Sequence, residues 1–300
     1  MVSLCHIGLA LDRFSRFEPA KHGETDHEHT ARIEKKFVQV AARALHLFCC
    51  STDAFFLTAL CKRGRSPSRC GDQLMSEGCT YHECDAAFPG QWWGPHKDGV
   101  QWTNVPPSFD AVFPPATFDF AKPFILVPRP QFNACADFVG FFPVRTEPRT
   151  VCIVLFQCKD HFVAPEDAAD EVVDFRAGWD FVTKDKCAVT TNRTAVTMDN
   201  VETAAQTREV TLETIVLHNA FPVQFSQFMN RRGVDYRFVH ILVTTNPVDD
   251  TRWGTTQEHE GLFDIERMKH IMPTVGYNAQ ACHRLRQLFA PGRRTEMPPE

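Results

Sequence analysis

Asp137 stands among apolar neighbours in the run Cys135 to Phe142 (CADFVGFF). The run Val151 to Lys159 (VCIVLFQCK) ends in Gln157-Cys158-Lys159. A carboxylate inside an apolar strand needs a compensating partner, because burying an unpaired charge is expensive. Side chains alternate along an extended strand, so Gln157 and Lys159 share one face. A carboxylate and an amide carbonyl are hard oxygen donors of the kind that Mg²⁺ takes. An ammonium two residues from such a donor can orient a water and hold developing negative charge. By itself a Q-x-K at a strand end also describes a solvated terminus; the Asp on the preceding strand sets this one apart.

Other chemistry-bearing residues are less organised. The chain has 12 cysteines. Cys49 and Cys50 are adjacent, Cys152 and Cys158 lie in an apolar run, and Cys70, Cys79 and Cys84 with His82 lack the paired C-x-x-C spacing of a zinc site. The expectation is scattered reduced thiols. His22, His27 and His29 fall in the polar stretch 21–30, which reads as a loop. Trp92 and Trp93 suit packing in a chain with 26 Phe and 3 Tyr. Arg231, Arg232 and Arg237, or Arg284, Arg286, Arg293 and Arg294, read as solvated helix faces before they read as phosphate patches.

The elements that must position Asp137, Gln157 and Lys159 are legible in part. Ile33, Phe37, Val40, Ala41, Ala44 and Phe48 recur at helical spacing, which predicts an amphipathic helix over 31–48, with 54–60 extending the helical part. Strands are expected at 124–127, 135–142 and 151–159, with 143–150 as a hairpin loop, and again at 236–244. Helices are expected over 165–175, 212–232 (kinked at Pro222), 263–271 and 278–289. Residues 62–119 read as mostly irregular, with short strands near 100–105 and 110–113. A stretch that long without structure is unusual in a compact domain and points to an undetected element. These elements form a single domain over 1–290 with insertions at 62–119 and 176–210, and 291–300 as a disordered tail.

The order helix, three strands, helix, strand, with PRPQFNACADFVGFF preceding VCIVLFQCKDH, resembles the PD-(D/E)XK nuclease superfamily. Within it the resemblance is to the Crinkler and retrotransposon hot spot group. It covers 124–161 well, and 31–48 and 236–244 loosely. The resemblance implies an α/β fold of restriction-endonuclease-like type, an αβββαβ core whose mixed central sheet is flanked by helices. It implies a Mg²⁺- or Mn²⁺-dependent nuclease acting on DNA more than RNA. Asp137 and Gln157 would be metal ligands, Lys159 would act on the water or the transition-state charge, Glu34 in the first helix would be a further metal ligand, and His161 a substrate contact. The departures are Ala136 where the family name has Pro, and Gln157 where many relatives have a carboxylate. Gln157 removes a negative charge and weakens metal affinity.

The formal net charge is −5, from 32 Lys and Arg against 37 Asp and Glu, so nucleic-acid contact must rely on a local patch. That charge, Gln157 and the lack of a G-x-x-x-x-G-K-[ST] motif favour an alternative: a catalytically silent module of the same fold that binds nucleic acid or protein. Asp137 and Lys159 favour the enzyme. A protein partner or a homo-oligomer is compatible with either. No run approaches the ~20 apolar residues of a membrane span, and Met1 to Ala10 lacks a basic n-region. The expected location is intracellular, which makes the sequon at Asn192 fortuitous.

Overall fold

The computed structural model describes residues 21–60, 72–84, 94–96, 99–101, 109–128, 136–159, 175, 176, 179, 186–189, 195–197, 216–219, 221–244, 248, 253 and 259–263. The first helix, α1, runs Asp26–Cys50. It therefore begins inside the stretch 21–30 expected to be a loop. The pattern Thr25-x-x-Glu28 is a capping-box signature. Glu24 accepts two hydrogen bonds from the Arg32 guanidinium, at 2.7 and 2.9 Å, which ties the entering chain to the first turns.

After α1 come β1 (Ala54–Phe56), the single turn α2 (Leu57–Leu60), β2 (Gln73–Met75), β3 (Thr80–Cys84), a hairpin of β4 (Gly94–His96) and β5 (Gly99–Gln101), and the turn α3 (Phe109–Val112). The central part is β6 (Phe124–Pro128), β7 (Phe138–Val144) and β8 (Glu147–Lys159). A small antiparallel sheet, β10 (Ala195–Thr197), β9 (Lys186–Val189) and β11 (Val216–Asn219), follows. Then come α4 (Phe221–Arg231), β12 (Asp235–Thr244) and β13 (Glu260–Phe263).

The main sheet is mixed and has eight strands, in the order β1-β2-β7-β8-β12-β13, with β6 pairing β7 and β3. The meander β6-β7-β8 is antiparallel, whereas β8 with β12, β12 with β13 and β3 with β6 are parallel. The content is thus α/β with a mixed central sheet, as expected.

Alternation divides β8 between two cores. Cys152, Val154, Phe156 and Cys158 pack with Phe37, Val38, Ala42, Leu45 and Cys49 of α1. Val151, Ile153 and Leu155 pack with Phe225, Phe228 and Met229 of α4 and with Phe113 after α3. Rings pair across the strands: Phe138 and Phe156 stack at 4.5 Å, and Phe124 and Phe141 at 4.4 Å. Such pairs add to the burial they already provide.

Several elements differ from their sequence expectations. Residues 54–60 form β1 and one helical turn, because β1 finds β2 as an antiparallel partner. Within 62–119, β2 and β3 belong to the main sheet; both are short, and their partners are far along the chain. Residues 109–112 are helical, not a strand. The loop expected over 143–150 shrinks to Arg145-Thr146, since Val144 already pairs Glu147; Pro143 sits where the ladder is irregular, having no N–H to donate. The helix expected over 212–232 is β11 followed by α4, with Pro222 in the first turn, where its missing donor costs nothing. Residues 260–263 are strand. The remainder of 263–271, most of 165–175, and 278–300 lie outside the described residues, as do Trp92 and Trp93.

α4 ends in a Schellman motif: Gly233 N donates to Asn230 O and Val234 N to Met229 O, with Gly233 at φ 66°. No helix among the described residues is long and apolar enough to cross a membrane.

Gly140 lies on the central strand β7, and a Cβ built there would collide with the fully buried ring of Phe142. Gly140→Ala is expected to destabilise by about 1–3 kcal/mol, the range for overpacking a filled core. Urea unfolding followed by circular dichroism measures it; an unchanged midpoint would show that the Phe142 ring moves freely.

Candidate functional site

β8 carries two polar residues at its end in positions that the alternation assigns to the α4 side of the sheet. Gln157 and Lys159 follow Val151, Ile153 and Leu155 on that face. Both are nearly covered, Gln157 at 9% and Lys159 at 7% exposure. Across the parallel pair, Leu242 stands opposite Gln157 and the fully buried Thr244 opposite Lys159.

Asp137 precedes β7 and is tied to the same segment of β8. Its N–H donates to Phe156 O at 2.8 Å, and its Oδ2 accepts from Cys158 N at 2.6 Å. A charge-assisted bond of this kind is short and strong. It supplies compensation for a half-buried carboxylate, and it sets that carboxylate beside the backbone between Gln157 and Lys159. The structure therefore brings Asp137, Gln157 and Lys159 to one end of two adjacent strands.

Glu34 is on α1, which packs against the opposite face of the sheet. Its side chain is outside what the structure describes, as is His161.

Gln157 Oε1 is buried with no hydrogen-bond partner among the described residues. Lys159 makes no ion pair with any described carboxylate. A buried acceptor without a donor costs about 1–3 kcal/mol, and a buried cation without a counter-charge also destabilises. Both costs fall when a ligand supplies a cation to the carbonyl and an anion to the ammonium.

The donor set consists of one carboxylate and one amide oxygen, and no group of three His, Cys, Asp or Glu converges among the described residues. That set suits Mg²⁺, which retains waters and commonly takes one or two carboxylates together with substrate phosphate. Asp137 and Gln157 are oxygen donors of the type that this ion takes.

A second polar cluster, not anticipated from the sequence, flanks the pair on the same face. Arg176 donates from Nε and Nη2 to the two carboxylate oxygens of buried Glu260, each at 3.0 Å, and to Trp253 O at 2.8 Å. Phe175 stacks on buried His240 at 3.9 Å and joins Leu242, Val248, Trp253 and Leu262 in a small core. Trp179 stacks on His259 at 3.8 Å, with His240 beside it at 5.9 Å. Arg176 and Glu260 are far apart along the chain, and nothing local marks them as partners.

Among the described residues no group of three His, Cys, Asp or Glu comes together around a thiol. Cys79 immediately precedes β3 and Cys84 ends it, Cys70 is outside the described residues, and His82 packs against Phe118 and Phe124. A hydrogen bond donated by the Cys49 thiol to Cys79, together with burial, raises Cys49 far above its ordinary range. Burial also raises Cys50. Thiols held protonated are poor nucleophiles and poor metal ligands.

Comparison with protein families, with curated proteins and with solved structures finds no match to this chain.

The Asp137 contacts separate structure from chemistry at this position. Asp137→Ala removes the acceptor of Cys158 N and is expected to destabilise by about 1–3 kcal/mol. Asp137→Asn keeps an oxygen there and should cost less. Chemical denaturation of the two variants tests this; equal stability of Asp137→Ala and the parent would remove the tether from the account.

Proposed function

We propose that this chain is a metal-dependent nuclease that hydrolyses phosphodiester bonds, in DNA more than in RNA, on a restriction-endonuclease-like core. One observation carries the reading: a buried lysine and an amide oxygen with no partner among the described residues share a strand face beside a carboxylate tethered to the same strand. A buried polar group is stabilised by a ligand that supplies its missing partner.

The element order supports the core assignment. α1 precedes the β6-β7-β8 meander, and α4 leads into β12, parallel to β8. This is the order expected from the resemblance to PD-(D/E)XK nucleases. The preference for DNA rests on that resemblance alone.

Asp137 and Gln157 Oε1 would hold the Mg²⁺ or Mn²⁺. The ion, when bound, supplies Lewis-acid polarisation of the phosphate and a water of lowered pKa. Lys159 orients the attacking water and holds the negative charge that develops on the phosphoryl oxygens. Its nearly complete burial strengthens that interaction, because little solvent screens it.

A second reading has its own support. The single carboxylate among the donors, already bonded to Cys158 N, is a weak basis for metal affinity. It favours a silent module that binds nucleic acid without cutting it.

Purified protein incubated with supercoiled and single-stranded DNA in Mg²⁺, Mn²⁺ or EDTA decides between the two. Metal-dependent cleavage is expected, with Lys159→Met reducing it by about 10²–10³-fold. The same variant should unfold at an unchanged or higher urea concentration, since an apolar side chain of similar length replaces a buried charge. Gln157→Glu adds a carboxylate and should lower the Mg²⁺ concentration needed for half-maximal cleavage. Cleavage that survives Lys159→Met belongs to a contaminant or another site. Binding without cleavage selects the silent module.

A further inference from the structure

The end of α1 and the residues that lead into β3 are fastened together by a chain of hydrogen bonds. Thr52 N donates to Cys49 O at 3.3 Å, Ser76 Oγ to Thr52 O at 2.6 Å, and Cys79 N to Ser76 O at 3.1 Å. Ser76 N also donates to Asp53 O at 2.9 Å. Less than one turn before Cys49, His46 Nε2 lies 3.0 Å from Cys79 O. These bonds bring the backbones of Cys49 and Cys79 together, although the two residues are far apart along the chain.

Within that frame the two thiols meet. Both belong to the core between α1 and the sheet, with Cys49 fully buried and Cys79 5% exposed. The Cys49 thiol donates to Cys79. The Cys79 thiol in turn has a long contact of 3.8 Å to Thr80 O. Thiols are weak donors and weak acceptors, so these contacts hold the pair together only loosely. Sulfurs in hydrogen-bond contact must close by about 2 Å to reach the length of a disulfide. Rotation of two side chains and fraying of a helix end can supply that movement.

Cys50 is exposed and differently placed. Its Sγ lies 3.6 Å from His46 Nε2. A carbonyl oxygen only accepts, so Nε2 carries the hydrogen that goes to Cys79 O and is no base for the Cys50 thiol.

We infer that Cys49 and Cys79 are a redox pair, which a small disulfide oxidant converts into an intramolecular bond clamping the end of α1 to the entry of β3. One of the two thiolates attacks a sulfur of the oxidant, breaks its S–S bond and releases one thiol. The other thiolate then displaces the remaining half. Two protons and two electrons leave the protein, and the S–S bond of the oxidant becomes two thiols. Cys49 is held protonated and both thiols are covered, so exchange waits for the helix end to open and is slow. The bond closes a loop of about 30 residues and restricts the unfolded chain more than the folded one. The pair lies on the α1 side of the sheet, so the inference stands apart from the nuclease reading.

The test incubates the folded full chain for hours with hydroxyethyl disulfide, then alkylates and digests it without reduction for mass spectrometry. A peptide linked through Cys49 and Cys79 is expected. The melting temperature should rise by about 5–10 °C and fall back with dithiothreitol. Cys50→Ala should keep both responses, and Cys49→Ala should lose both. If Cys49→Ala does not fold, Cys79→Ala takes its place. Absence of the linked peptide, or its formation in denaturant alone, overturns the inference. So does a bond from Cys79 to Cys50 instead, or a melting temperature that the link leaves unmoved.

Discussion

The parallel ladder between β8 and β12 is the constraint on which the rest of the molecule depends. It runs without interruption from Thr150 with Asp235 to Lys159 with Thr244. β8 is also paired along its other edge by β7, so neither edge is available to solvent. A strand in this position must be covered on both faces, and its sequence loses the polar alternation of a half-exposed strand. From Val151 to Lys159 every residue is buried. Two cores follow, one closed by α1 and the other by α4 and the phenylalanines that follow α3. The excess of Phe is used mainly in the second, where large rings fill the space between a short helix and the sheet.

The same constraint explains why the polar end of β8 is informative. An interior strand tolerates Gln157 and Lys159 only at a cost in stability. The local structure offsets part of it: the Asp137 carboxylate takes the Cys158 amide, but Gln157 Oε1 has no described partner. Nearby, the same fold shows what complete compensation looks like. Glu260, equally buried, is met in a bidentate arrangement by Arg176, which also bonds Trp253 O. These two buried polar sites, two strands apart in the sheet, set a carboxylate that is met by an ion pair against an amide oxygen with no described partner.

Legibility along the sequence follows the range over which each element is specified. α1, β6, β7, β8 and β12 carry their own signal, either a helical stripe or a run of β-branched and aromatic residues, and their positions were readable to within a few residues. β1, β2, β3 and β11 are three to five residues long, and strands that short are made by their partners. Asp137, Gln157 and Lys159 were legible because polar residues interrupt otherwise apolar runs on consecutive strands. Arg176, Trp179, His240, His259 and Glu260 were not, since each is unremarkable in its own stretch.

The sequence by itself determined that β6, β7, β8 and β12 are extended, which faces of β8 share residues, and that Gln157 and Lys159 point to the same side. Those properties follow from backbone alternation and local composition, which need no distant partner. Only the tertiary structure decided that β8 lies inside the sheet, that its polar end is buried, and that Asp137 is bound to Cys158 N. It alone set the Arg176–Glu260 pair and the Trp179–His259 stack against that end, and put α1, with Glu34, across the sheet. Burial and the meeting of residues far apart in the chain depend on which strands pair and which helices cover them. That is a global balance of packing against chain entropy, which no local window contains.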